Sequence, residues 1–186
     1  MKKALVVGID DYPTSPLNGC VNDAVAVGNT LETNGDGSPN FSVRLLTSNQ
    51  LDISTACLSE AIADPDTNAG YIVSQNGCRG AWGVSLSEIL GVANRAYPRI
   101  KSTIIILDSC HSGFAGEVPA LGNEQISAIG SGVTILTACH RSGTAGEENG
   151  HGLFTSILLD GLKGSSADIC GRITPASVYS HIDQTL

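Results

Sequence analysis

Four short apolar runs punctuate the chain: Ala4–Ile9, Val43–Thr47, Thr103–Leu107 and Val133–Thr137. Each is continuous rather than alternating, which predicts strands buried on both faces, as in a parallel sheet covered by helices. Helical patterns lie between them. Val21, Ala24, Val25 and Leu31 share one face, and Leu86, Ile89, Leu90 and Ala93 follow the i, i+3, i+4, i+7 rule. Ser85 with Glu88 three residues on predicts a capping box at the start of that second helix. Leu51–Ala63 reads as a helix with Ile53, Cys57 and Ala61 on one side, and Phe154, Ile157, Leu158 and Leu162 form another stripe. Thr174 before Pro175 marks the start of a last helix. Strand and helix in alternation predict an α/β fold, an open and mostly parallel sheet flanked by helices on both faces, with right-handed crossovers. No internal repeat, linker or low-complexity segment interrupts the pattern, so residues 1–186 are expected to form a single domain.

Composition narrows the class. The chain is 41% apolar, which suits a globular core, and only 4% aromatic, so that core must be built mainly from Ile, Leu, Val and Ala. The formal net charge is −8, with no basic run. Nucleic acid and anionic membranes both require Lys and Arg to neutralise phosphates, so neither is an expected partner. A positively charged peptide is a better match. Met1-Lys2-Lys3 followed by an apolar run has the look of a signal peptide, but the run is short and ends in Gly8-Ile9-Asp10-Asp11, which predicts a first buried strand. No apolar stretch reaches transmembrane length. The six cysteines are scattered without a CxxC pair, and several lie in apolar runs. This predicts a reduced, cytoplasmic protein with at most one reactive thiol.

In open α/β sheets, ligands bind beyond the carboxyl ends of the strands. Three polar clusters fall at such ends: Asp10-Asp11, Asp108-Ser109-Cys110-His111-Ser112-Gly113, and Cys139-His140-Arg141-Ser142. A Cys just past a buried strand stands on a rigid support, and its own backbone N–H can contribute to an oxyanion hole. Gly113 and Ser112 let a substrate backbone approach. Taken alone, Cys110 reads equally as a buried Cys in a strand-to-loop turn, which is a common structural use.

The wider sequence decides between these readings. Ile104–Gly113 resembles the nucleophile motif of the caspase/metacaspase cysteine peptidases, a strand followed by Asp-x-Cys-His-Ser-Gly. Lys3–Asp11 with Leu17–Ala24 resembles the family's opening strand, loop and first helix. Gly83–Leu90 resembles the helix before the nucleophile strand. Val133–Cys139, Ala145-Gly146-Glu147 and His151–Thr155 resemble the next strand, substrate loop and helix. The resemblance implies a caspase-like fold, a cysteine endopeptidase with Cys110 as nucleophile, and peptide or protein substrates. It also implies that Asp23 and Asp108 form an acidic S1 pocket. Two carboxylates there favour Arg or Lys at P1 through charge-assisted hydrogen bonds. Asp23 read by itself is an acid near a helix N-terminus, stabilised by the macrodipole. Peptidases that cut after Asp need basic S1 residues, and none of the six arginines matches that role. No dense oxygen-ligand cluster is present, so neither a metal nor another cofactor is expected. Domains of this kind often sit in longer proteins, so additional domains or regulatory partners are expected.

A thiol peptidase also needs a base to activate the Cys and an acid for the leaving amine. The family supplies both from a histidine at the end of a central strand. None of the four histidines here matches it: His111 neighbours the nucleophile, His140 follows a later strand, His181 lies in the last helix, and His151 matches the family's His-Gly-x-Phe-Thr segment. Two explanations follow. Either the natural protein carries a segment near Ala63–Asp66 that this sequence lacks, or Gly70–Ser74 has become the central strand, with Gln75-Asn76-Gly77 where the histidine belongs. The second case is a catalytically inactive caspase-like module that binds or regulates partners.

Overall fold

The computed structural model describes residues 2–13, 16–62, 71–78, 81–108, 130–138, 147–148 and 151–185, with the backbone alone at 61, 62, 71, 81, 82, 147 and 148. Its contacts divide the chain into two compact units, Met1–Leu51 with Ala145–Leu186, and Asp52–Thr144.

In the first unit, β1 (Lys2–Gly8) and β2 (Phe41–Thr47) pair in parallel, in register from Lys2 opposite Phe41 to Gly8 opposite Thr47. Two parallel strands need a crossover, and α1 (Cys20–Glu32) supplies it. The helix buries Val21, Ala24 and Gly28, while the expected Val25 and Leu31 are half-buried on the same element. After a two-residue hairpin, β7 (Glu147–Glu148) with β8 (His151–Gly152), comes α4 (Leu153–Asp160). It buries Phe154, Ile157, Leu158 and Leu159, then widens into a π-helical turn over Gly161–Ser165. The closing α5 (Pro175–Thr185) buries Val178 and Ile182. It starts where the Thr174-Pro175 signal places it, with the Ser177 amide donating to Thr174 Oγ1 at 3.1 Å.

The second unit holds α2 (Thr55–Ile62), the antiparallel strands β3 (Tyr71–Cys78) and β4 (Ala81–Ser85), α3 (Leu86–Ala96), and the parallel pair β5 (Thr103–Leu107) and β6 (Val133–Thr137). Ile53, Leu58, Val84, Leu90, Ala93 and Leu136 are its buried apolar side chains among the described residues. At the start of α3, Ser85 Oγ accepts from the Glu88 amide at 3.1 Å, as the spacing predicts.

Three expectations are corrected here. The helix expected over Leu51–Ala63 begins only at Thr55, because Ser54 Oγ accepts from the Cys57 amide at 3.2 Å and caps it. Ile53, just outside, is instead fully buried. Its amide donates to Gln75 Oε1, and its carbonyl accepts from the Gln75 amide, both at 2.9 Å. Second, within Gly70–Ser74, the segment considered as a replacement central strand, Tyr71–Val73 pair antiparallel with Ser85–Gly83 of β4. The proposed gap at Ala63–Asp66 lies outside the described residues. Third, the continuous runs are not buried on both faces: Leu5 in β1 and Ser42 and Arg44 in β2 are exposed, and so is one face of β5. Burial in β5 alternates with the two-residue period of a strand, and Ile104 and Ile106 on one face are 45% and 39% exposed.

Candidate active site

The polar cluster at the end of β1 is largely scaffold. Asp10 accepts from the Cys20 amide on Oδ1 (2.9 Å) and from the Val21 amide on Oδ2 (3.2 Å). Helix N-termini leave such amides without intrahelical partners, and Gly19, at the N-cap position, has no side chain to satisfy them. Asp10 therefore caps α1 from ten residues upstream. Ser48, after β2, secures this carboxylate's own backbone, its Oγ accepting from the Asp10 amide at 3.0 Å. Tyr12, in the same loop, has its hydroxyl pKa raised, first by burial and then by the nearby charges of Cys20 and Asp10.

This fixed helix start positions Asp23, one turn further on. Its two carboxylate oxygens are held by consecutive residues of another segment. His151 Nδ1 lies 2.6 Å from Oδ1, and the Gly152 amide donates to Oδ2 at 3.1 Å. A carboxylate oxygen only accepts, so Nδ1 carries the proton in this contact. The Asp23 side chain is 15% exposed and that of His151 34%. The pair is thus partly open to water.

The other expected residues belong to the second unit. Asp108 follows β5 directly and is exposed. Cys110 lies outside the described residues, as does the Cys139–Ser142 cluster. Asn76, the residue in the histidine's place under the replacement-strand reading, has a structural use. Its Oδ1 accepts from the Thr55 amide (2.9 Å) and the Ser74 hydroxyl (2.9 Å), joining β3 to the start of α2. Among the described residues, Cys20, Cys57, Cys78 and Cys170 form no disulfide with one another, and Cys78 and Cys170 are exposed rather than packed as small hydrophobes. No group of three His, Cys, Asp or Glu side chains converges among the described residues. No described helix is long and apolar enough to cross a membrane.

Sequence reasoning singled out Asp23 but missed its tie to His151. The available signal was Gly150-His151-Gly152 immediately before a helix: a donor side chain and a free amide side by side, at a point where a neighbouring acid can collect both. No curated protein matches the chain. The caspase-domain family model, by contrast, matches residues 1–174, nearly the whole length. With the α/β order of elements and the motif around Cys110, this match makes the chain a member of the caspase-domain peptidase family, with its α/β fold and its cysteine peptidase-like function.

Proposed function

We propose that the chain is a single-domain cysteine endopeptidase of the metacaspase type, with Cys110 as nucleophile and an S1 pocket of Asp23 and Asp108 that takes Arg or Lys at P1. The observation that carries this reading is the Asp23 carboxylate, partly exposed and held through both oxygens, in a chain whose family match spans 1–174. In the proposed reaction the Cys110 thiolate attacks the carbonyl after the basic residue. Backbone N–H groups stabilise the oxyanion, the amine leaves with a proton, and water then hydrolyses the thioester. The base that takes the Cys110 proton and returns it to the leaving amine is then the histidine of a segment near 63–66 that this sequence lacks.

One observation favours a second reading, an inactive caspase-like module that binds basic peptides. None of the four histidines matches the family's catalytic position, and a thiol peptidase without that base cannot activate its Cys. A thiol-reactive peptide probe ending in Arg separates the two. Covalent labelling of Cys110 and cleavage after Arg, both lost in Cys110→Ala with the fold retained, are expected of the peptidase. Saturable, non-covalent binding without labelling identifies the module, and full activity in Cys110→Ala sinks the nucleophile assignment.

A further inference from the structure

Asp23 stands on α1, and both donors to it come from the two residues of β8. An Asp side chain turns broadly about its last torsion, so a lone carboxylate presents a shifting plane. Two donors on different oxygens fix that plane. An ionised carboxylate has about four acceptor sites. The His151 and Gly152 bonds use one on each oxygen, which leaves one on each for a ligand.

A guanidinium and an ammonium make different use of such a group. The planar guanidinium gains its two parallel hydrogen bonds only where the carboxylate plane matches its own, whereas the ammonium is a compact point charge indifferent to that plane. We propose that His151 is a positioning residue for Asp23: by fixing the carboxylate plane it makes the site discriminate Arg from Lys. The proposal rests on the reading of Asp23 as a pocket acid. The simpler account, a tie between α1 and the start of α4, predicts a stability loss on removing His151 and no change in selectivity.

The test is binding of two labelled peptides, identical except for a terminal Arg or Lys, followed by fluorescence anisotropy so that no turnover is needed. Wild type should favour Arg. His151→Ala should weaken the Arg peptide about tenfold, the scale of one charge-assisted hydrogen bond, and the Lys peptide by no more than about twofold. His151→Asn places an amide N–H near the position of Nδ1 and should restore most of the Arg preference. It also keeps the test open if the Ala variant fails to fold. Asp23→Asn should weaken both peptides and abolish the preference. If Asp23→Asn does so while His151→Ala keeps the wild-type Arg-to-Lys ratio, or if wild type binds both peptides equally, the positioning role is overturned and the acidic pocket stands. If wild type binds neither peptide, or Asp23→Asn binds both as wild type does, the pocket reading falls and this inference with it.

Discussion

Asp10 holds the two leading amides of α1 across a ten-residue loop, so its loss should be felt as a lost helix cap. Asp10→Ala is expected to cost about 1–2 kcal/mol in urea unfolding, and Asp10→Asn, which keeps one acceptor oxygen, distinctly less. Tyr12 adds a pH dependence. Its raised pKa means the unfolded chain loses the phenolic proton before the folded chain does. The stabilisation is complete below the ordinary value of 10.0 and is lost as pH rises through the higher folded value. Tyr12→Phe should therefore flatten the decline in melting temperature above about pH 10 while leaving the neutral value close to wild type. At this scale the sequence revealed residue types but not uses. Asp10, Asp23 and Asn76 are all polar residues near element ends. Two turned out to cap helices, whereas Asp23 is tied to His151 of a distant segment. What separates them is the partner, which in these three contacts lies 10, 21 and 128 positions away in sequence.

Elements built from apolar runs were legible, because Ile, Leu and Val in runs of five or more have few other uses in a folded chain. The runs at Ala4, Val43, Thr103 and Val133 all became strands, and the Ser85 and Thr174 signals marked true helix starts. The hairpin of β3 and β4 was hidden by its own polarity. Ser74 is fully buried in β3, yet its hydroxyl is satisfied by Thr55 and Asn76, a compensation no periodicity displays. Gly83 is the vulnerable point of that hairpin. Its φ of 153° is one that other residues rarely adopt, and an added Cβ would run into the Ile72 carbonyl of the paired strand. Gly83→Ala should exceed the roughly 1–3 kcal/mol of backbone strain alone, measured as a fall in thermal midpoint. Gly37→Ala is the control: φ is also positive there, but open space surrounds the position, so only strain is expected.

For the whole molecule, charge is the property most open to experiment. With a net charge of −8, encounter with a basic peptide is assisted over a Debye length of about 10 Å at 0.1 M salt, shrinking to about 3 Å at 1 M. Raising salt across that range should weaken Arg-peptide binding several-fold, chiefly by slowing association in stopped-flow mixing, and a salt-independent rate would exclude this steering. The order of the chain carries a different consequence. The unit containing Asp23 is discontinuous: Met1–Leu51 must wait for Ala145–Leu186, with Asp52–Thr144 between them. At the usual pace of translation, Asp23 leaves the ribosome roughly 6–26 s before the residue that holds it, 128 positions later. A chain stalled before residue 145 already contains Cys110 but has no His151 or Gly152 to orient the acid. Selectivity would then be among the last properties acquired during synthesis, and slow protection of the Gly152 amide from hydrogen exchange would time its arrival.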